Sequence, residues 1–123
     1  MNVLAIDYGT KRIGLAIAIN GIIETLPALK NNPSLFSGLK KIIADHQVEK
    51  IYVGLSEGRF AQKTKVFVEE LSSVLQLNVE TVEEAVSTIE ADGIYLNNKG
   101  NKKKYQQKID SVAAAVILRR VIS

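Results

Sequence analysis

The sequence predicts an α/β fold in which an antiparallel β-meander, followed by alternating helices and strands, forms a mixed five-stranded sheet with helices packed on it. Three observations predict it. The chain opens with three short apolar runs, later apolar runs alternate with segments of helical periodicity, and neither a repeat nor a linker interrupts the 123 residues. This length, with 46% apolar and 24% charged residues, predicts one globular domain over residues 1–123.

The opening meander is predicted from its turns. Apolar strands are expected over 3–6, 13–19 and 22–26. Asp7-Tyr8-Gly9-Thr10 bounds the first strand, and Asn20-Gly21, a dipeptide typical of two-residue hairpin loops, joins the second to the third. The three strands are therefore expected to pair antiparallel in chain order.

The remaining chain alternates helices with strands, giving the order βββαβαβαα. Ser34 is expected to cap the first helix, and the polar, lysine-rich residues 97–103 are expected to form a mobile loop. The apolar spacing predicts helices over 35–46, 61–75, 87–95 and 105–121, and strands over 50–55 and 77–82. The expected core positions of the helices are Leu35, Leu39, Ile42, Ile43, Val66, Phe67, Leu71, Leu75, Ile109, Val112, Ala113, Val116 and Ile117.

The composition excludes several classes of function. Cysteine is absent and His46 is the only histidine, so disulfides, thiolate metal sites, cysteine nucleophiles and multi-histidine sites are excluded, and a metal would need oxygen ligands. No apolar run is long enough to span a membrane. Asp7 interrupts the apolar N-terminus and no basic leader precedes it, so a signal peptide is not expected and a cytoplasmic location is.

The net charge of +3 is unevenly distributed. Residues 1–97 carry nine basic and twelve acidic side chains, whereas residues 98–123 carry seven basic side chains and one acid, Asp110. A basic C-terminal quarter on an acidic body is compatible with a polyanionic partner such as nucleic acid. It is equally typical of a solvated surface.

Three carboxylates fall where the predicted elements place a ligand site. Asp7 ends the first strand, Glu84 follows the fifth, and Asp110 lies near the start of the last helix. Carboxylates about 4 Å apart repel by about 4 kcal/mol per pair at an effective dielectric constant of about 20, so such a cluster requires a cation or protons. Two magnesium or manganese ions on oxygen ligands can activate water and stabilise the leaving oxygen of a phosphodiester, which predicts a nuclease.

Each acid taken alone also fits a structural role. Asp7 is compatible with a turn residue before Gly9, and Glu83-Glu84 with a solvated loop pair. Asp110 is compatible with an acid in the first turn of a helix, where the helix dipole favours it.

The motifs together resemble those of the YqgF family, small RNase H-like proteins described as Holliday junction resolvases or pre-16S ribosomal RNA nucleases. With h for an apolar residue, residues 6–16 (IDYGTKRIGLA) resemble the family's hDhGxKRIGhA motif. The resemblance continues in order over nearly the whole chain: IYVGL at 51–55 with hVhGLP, FVEEL at 67–71 with FxxxL, EEAVSTIEA at 83–91 with DERLTTxEA, and KIDSVAAAVIL at 108–118 with xhDxhAAxhIL.

This resemblance implies an RNase H-like fold and hydrolysis of phosphodiester bonds in structured nucleic acid, with RNA favoured over DNA. The family's metal-binding acids fall on Asp7, Glu84 and Asp110, which would hold two Mg²⁺ or Mn²⁺ ions. Lys11 and Arg12 match the family's basic pair and are expected to contact substrate phosphates. The substrate favoured by the resemblance is the 5′ end of pre-16S rRNA.

The sequence also departs from the family pattern. Ala85 replaces the arginine of the DER motif, Glu83 replaces its aspartate, and the loop over 56–59 is short. Arg59 is the candidate to supply the missing charge from that loop, and the lysines of a loop over 99–108, among them Lys102, Lys103 and Lys104, are expected to grip the nucleic-acid backbone.

Three alternatives follow. The loss of arginine at position 85 is compatible with a protein that binds nucleic acid without cutting it. The family description also fits a DNA junction resolvase, which would require two sites related by symmetry and hence a homodimer, whereas a trimming nuclease can work as a monomer. Finally, Asp-x-Gly-Thr before a hairpin resembles the phosphate loop of the actin and sugar-kinase superfamily, whose members hold a nucleotide between two such lobes.

Overall fold

The computed structural model describes residues 2–55, 59–83 and 102–122. Within these ranges the chain forms five strands and three helices. In chain order they are β1 (Val3–Tyr8), β2 (Arg12–Ile19), β3 (Ile22–Lys30), α1 (Leu35–His46), β4 (Lys50–Leu55), α2 (Arg59–Leu75), β5 (Asn78–Glu83) and α3 (Lys102–Ile122). The predicted helix over 87–95 lies outside the described residues.

The five strands form one mixed sheet in the order β3-β2-β1-β4-β5, with β1 at its centre. β1, β2 and β3 pair antiparallel in chain order, as predicted, and β4 and β5 add on the other side of β1, parallel to it. The β2–β3 turn has positive φ at Asn20 (52°) and Gly21 (80°), the requirement of a two-residue hairpin loop. The carboxyl ends of β1, β4 and β5 therefore lie at one edge of the sheet.

The two faces of the sheet carry different cores. Along β1, Leu4 and Ile6 are fully buried in a cluster of large apolar side chains with residues of α1 and α2. Val3 and Ala5 belong to a second cluster, on the opposite face, with residues of α3. This second cluster contains several alanines, and small side chains let a helix approach a sheet closely.

Two predicted boundaries differ from the structure by three residues or more. The third strand continues to Lys30, beyond the predicted end at Leu26, and includes Pro27, which an edge strand tolerates. The last helix begins at Lys102, three residues before its predicted start at Tyr105, so the predicted mobile loop is wrong over 102–103. The substrate-binding loop expected over 99–108 is likewise helical from Lys102 onward, and residues 97–101 lie outside the described residues. Lysine and glutamine have high helix propensity, which accounts for the longer helix.

The predicted cap of α1 is also wrong. Ser34 occupies the N-cap position with helical backbone angles (φ −86°, ψ 0°) and makes no side-chain capping hydrogen bond, because that bond requires an extended backbone. Asn32 organises the turn instead. Its Oδ1 accepts a hydrogen bond from the Ser34 N–H at 2.9 Å, and its carbonyl accepts one from the Leu35 N–H at 3.0 Å.

The predicted helix-core positions whose side chains are described are correct with one exception, and the side chain of Ile109 lies outside the described residues. Val66 on α2 is 54% exposed, and Thr64 is fully buried in its place, because the buried stripe runs through Phe67 and Leu71 and includes the position three residues before Phe67. On α3, Ala114 and Leu118 are buried in addition to the predicted residues. The other predicted positions with described side chains are buried or half-buried: Leu35, Leu39, Ile42, Ile43, Phe67, Leu71, Leu75, Val112, Ala113, Val116 and Ile117.

Candidate functional site

Asp7 is half-buried near the carboxyl end of the central strand, with glycine on both sides. β1 pairs it with Gly14 of β2 and with Gly54 of β4, and Gly54 pairs in turn with Val82 of β5. The directly paired positions on the two adjoining strands therefore carry no side chain. In this row of the sheet, Asp7 is therefore flanked by backbone at its two paired positions.

The Asp7 carboxylate belongs to the face that α3 covers. Successive residues of a strand alternate between faces, so Asp7 shares the face of Val3 and Ala5, which pack in the cluster of α3. Val82 also packs against that cluster. The row that contains Asp7 therefore faces α3 rather than α1 and α2.

The direction of α3 brings its amino-terminal half to the same edge of the sheet. Ile122, at the end of α3, lines a small cavity with Val3 and Ala18, at the amino end of β1. α3 consequently runs against the direction of β1. Ala114 is fully buried in one cluster with Ala5, and position 110 precedes it by one helical turn on the same face, about 6 Å nearer the carboxyl end of β1.

The third predicted acid follows the described part of β5. β5 is parallel to β4 and ends at Glu83, so it ends at the edge where β1 ends. Glu84 and Ala85 lie outside the described residues. Of Asp110, the structure describes the place in α3 but not the side chain. Among the side chains that are described, no three from His, Asp and Glu come close enough together to hold a metal ion.

The turn between β1 and β2 is held in place by its neighbours. A Cβ atom at Gly9 would lie 2.4 Å from the Arg12 carbonyl oxygen, so only glycine fits there. Asn31, which follows β3, donates from Nδ2 to the Gly9 carbonyl and from its backbone N–H to the Lys11 carbonyl, both at 2.9 Å. These bonds fix the turn against the loop that leads into α1.

Three cations lie at or beside this turn and are called the basic tip: Lys11, Arg12 and, at the end of the neighbouring strand β3, Lys30. Lys11 is exposed, Arg12 is half-buried, and the β2–β3 pairing sets Lys30 opposite Arg12. Like charges at paired positions are unfavourable and become favourable when an anion binds between them. Lys30 was not among the predicted site residues, because the predicted third strand ended before it.

The other predicted basic residues lie at helix starts. Arg59 is the first residue of α2, and Lys102, Lys103 and Lys104 form the first turn of α3. Lys102 precedes Ala114 by about 18 Å of helix, whereas β1 extends only about 10 Å beyond Ala5. The first turns of α3 therefore extend beyond the carboxyl edge of the sheet.

A charged group with a shifted pKa lies at the opposite edge, four residues before the row of Asp7. Lys50 pairs with Val3, and its Nζ lies 3.2 Å from Glu80 Oε1 and 4.9 Å from the centroid of the Tyr52 ring. A hydrogen bond with Tyr52, and then the hydrogen bond with Glu80, raise the pKa of Lys50 above its ordinary value of 10.5. This group joins β4 to β5 far from Asp7 and has a structural role.

None of the helices in the described ranges is both long enough and apolar enough to cross a bilayer.

The architecture defines an RNase H-like α/β fold. A solved RuvC of Thermus thermophilus in complex with a Holliday junction substrate shares it, with a TM-score of 0.54, 13% identity and coverage of 98% of this chain and 96% of that one. YeaZ from Pseudomonas aeruginosa matches with a TM-score of 0.56 and 17% identity over 79% of this chain, which spans about half (52%) of the YeaZ structure.

Family membership follows from the sequence. The family model described as "RuvX: Holliday junction resolvase" matches residues 1–123, and the chain belongs to this family. A relative from Dictyoglomus thermophilum, named "Putative pre-16S rRNA nuclease", is 32% identical over 132 residues, which cover 99% of this chain and 95% of the relative. The resemblance found in the motifs is thereby confirmed.

Proposed function

We propose that the protein is a metal-dependent endonuclease that hydrolyses phosphodiester bonds in structured nucleic acid, with the 5′ end of pre-16S rRNA as its substrate. The observation that carries the proposal is the position of Asp7. It lies between Gly14 and Gly54 on the face covered by α3, and position 110 lies one turn before the buried Ala114. Family membership and the name of the Dictyoglomus relative support the same activity.

The proposed metal ligands are Asp7, Glu84 and Asp110. They offer only carboxylate oxygen, which suits Mg²⁺ or Mn²⁺, and the positions paired with Asp7 are both glycine, so no side chain occupies the space on either side of it in that row. Two such ions supply activation of a water molecule and stabilisation of the leaving oxygen of a phosphodiester. In this proposal, the fold brings three carboxylates from distant segments of the chain to one edge of the sheet.

Cations around that edge are proposed to bind the phosphates of the substrate. The basic tip lies at or beside the turn that directly follows β1, and Asn31 holds this turn in place. Two helices begin near the same edge: α2 with Arg59, and α3 with a first turn that contains Lys102 to Lys104. Such contacts fix the register of a nucleic-acid strand without reading its sequence.

A second candidate substrate is a four-way DNA junction. The family description supports it, and the fold is shared with a RuvC that was solved with a junction. Cleavage of a junction at symmetric positions would require two copies of the site, and hence a homodimer. The names of the similar curated proteins favour RNA, so we place the junction second.

In the first experiment, purified protein and Mn²⁺ are incubated separately with a labelled pre-16S rRNA leader, a four-way DNA junction and an unstructured single strand. We expect cleavage of the leader, and its loss when EDTA removes the metal. Asp7→Asn should reduce cleavage by more than about 100-fold, because even the partners of metal ligands change activity by about 10- to 100-fold.

The matched control for that variant is Asp45→Asn, the same substitution at an exposed position of α1. It should cut at the wild-type rate, and both variants should melt near the wild-type temperature. Equal cleavage by the two variants would contradict the role of Asp7. Binding of the leader without cleavage in either Mg²⁺ or Mn²⁺ would instead support a binding protein that has lost its activity, as the alanine at position 85 allows.

A further inference from the structure

A second cavity opens on the face of the sheet opposite Asp7. Tyr8, the next residue of β1, packs against the cluster of α1 and α2, and its ring lines a cavity of about 660 Å³ with those of Phe36 and Phe67. The Tyr8 and Phe67 rings stack with centroids 4.4 Å apart and an interplanar angle of 26°. Phe36 is tilted by 31° against Phe67 at 5.9 Å. Three contacting aromatic rings thus form one wall of the cavity.

The rim of this cavity is polar and partly cationic. Lys63 and Lys65, both exposed on α2, lie on one side, and the amides of Asn31 and Asn32 lie on the other. α2 starts near the carboxyl edge where β4 ends, so its two lysines lie in the turns nearest the row of Asp7. The carboxylates of Glu69 and Glu70 line the cavity one turn farther along α2.

This combination of groups matches an unpaired nucleotide better than an apolar ligand. The volume is typical of sites for small organic molecules. Aromatic rings offer a stacking surface to any base, and lysines at the rim offer contacts to the phosphates that flank it, the arrangement found where proteins bind single strands. Asn31 Nδ2 and Asn32 Oδ1 are hydrogen-bonded to Gly9 and Ser34, so Asn31 Oδ1 and Asn32 Nδ2 are the acceptor and the donor that these amides would present to the edge of a base.

The cavity and the proposed cleavage site lie on the two faces of the same edge of the sheet. Asp7 and Tyr8 are consecutive residues on opposite faces at the end of one strand, so a nucleic-acid strand that crosses this edge meets both. Asn31, which lines the cavity, donates hydrogen bonds to the carbonyls of Gly9 and Lys11 and thereby joins the cavity to the basic tip.

We propose that this cavity binds an unpaired base of the substrate next to the cleaved bond, with Tyr8 and Phe36 stacking on the base and Lys63 and Lys65 contacting neighbouring phosphates. The identity of the ligand as substrate rests on the proposed function. The cavity adds a substrate preference to that function: the protein is expected to cleave next to unpaired nucleotides rather than inside a continuous duplex.

The test measures binding apart from cleavage. A fluorescent single-stranded RNA of about ten nucleotides, within the site sizes of single-strand binding folds, is titrated with protein in EDTA, and anisotropy gives the Kd. Phe36→Leu keeps an apolar side chain against Phe67 and removes the stacking surface. We expect it to raise the Kd by about fivefold or more, the effect of losing one base–aromatic contact.

The matched control is Tyr52→Leu, which removes a half-buried ring from the middle of β4, on the other face of the sheet and outside the cavity. Its Kd should equal that of the wild type, and melting temperatures verify that both variants fold. A shift of the same size in the two variants would overturn the proposal, as would failure of the wild-type protein to bind the RNA.

Charge is tested with a second pair of variants. Replacing Lys63 and Lys65 by alanine should weaken binding and reduce the slope of log Kd against log salt by about 1.4, because each of the two phosphate contacts to a single strand contributes about 0.7. Alanine at Lys40 and Lys41, two exposed lysines of α1 that do not line the cavity, is the control and should leave the slope unchanged.

Cleavage of the pre-16S leader, run in parallel, separates the two proposals. Binding that depends on Phe36 and the two lysines, without cleavage in Mg²⁺ or Mn²⁺, would support the cavity and contradict the nuclease. Normal cleavage and unchanged KM in the Phe36→Leu variant would contradict the cavity and leave the nuclease standing.

Discussion

The two faces of the sheet are built from side chains of different size. The face covered by α1 and α2 is filled by leucine, isoleucine and phenylalanine, with Leu4, Ile6 and Leu71 fully buried. The face covered by α3 is lined largely by alanine, and its row at the carboxyl edge consists of Asp7 between two glycines. One strand, β1, contributes to both faces.

Because of this difference, the α1/α2 face contributes mainly to the stability of the protein, and the α3 face mainly to the placement of the site. Large buried side chains remove the most apolar surface from water, so the α1/α2 face supplies most of the hydrophobic stabilisation. Small side chains supply less, and they allow α3 to approach the sheet closely enough to carry position 110 toward Asp7. Substitutions on the two faces are therefore expected to have different effects.

The largest effect on stability is expected on the α1/α2 face. Leu4→Ala should lower the free energy of unfolding by about 2–5 kcal/mol, because it removes a fully buried side chain and leaves a cavity. Ile22→Ala, at a position that is 66% exposed, should change it by less than about 0.5 kcal/mol. Urea unfolding measures both, and equal losses would contradict the contrast between buried and exposed positions.

A smaller effect is expected from enlarging a residue on the α3 face. Ala114→Leu should cost about 1–3 kcal/mol of stability, because α3 must move away from the sheet to admit the added atoms. The same shift should reduce cleavage more than the loss of stability explains. Ala44→Leu, on the exposed side of α1, is the control for both measurements. A variant that is destabilised yet cuts at the wild-type rate would show that the close approach of α3 does not matter to the site.

The basic tip offers a test of the site that leaves both cores intact. Lys30→Ala should leave the melting temperature unchanged and reduce the salt-dependence slope of RNA binding by about 0.7, the contribution of one phosphate contact. Lys40→Ala provides the same change of charge at an exposed position of α1. Identical slopes for the two variants would remove Lys30 from the binding surface.

The smallest effect is expected at the amino edge of the α3 face. Because Tyr52 and Glu80 raise the pKa of Lys50 above 10.5, the stabilisation by charged Lys50 is complete below that pH and declines as the pH rises through the raised value. The difference in melting temperature between wild-type protein and Lys50→Met should therefore be constant at neutral pH and shrink above pH 10.5. A difference that stays constant into that range would argue against this source of stabilisation.

The sequence was sufficient to predict the elements and much of their pairing. Apolar alternation and the Asn20-Gly21 turn predict the meander, because both are local signals, and the i, i+4 spacing of Phe67 and Leu71 identifies the buried side of α2. Ends and caps were less predictable. Whether Ser34 or Asn32 organises the start of α1 depends on backbone angles that both residues can adopt.

The sequence nominates the acids of the candidate site but not the surroundings of Asp7. Asp7 stands out because a carboxylate ends an apolar strand, but the glycines on either side of it come from distant segments, and only the strand pairing shows that they are neighbours. Lys30 and the aromatic cavity were missed for the same reason. They depend on contacts between segments that no local pattern reveals.

Asn31 has a consequence for the thermodynamics of binding. Its two hydrogen bonds hold the β1–β2 turn in one conformation before any ligand arrives, so the loss of backbone entropy in that turn occurs during folding. A turn that was free in the unbound protein would lose that entropy on association, and its affinity for a polyanion would be lower. The Asn31 side chain thereby preorganises the charged surface at this turn, and the entropic cost of ordering the turn reduces the stability of the fold rather than the affinity for a ligand.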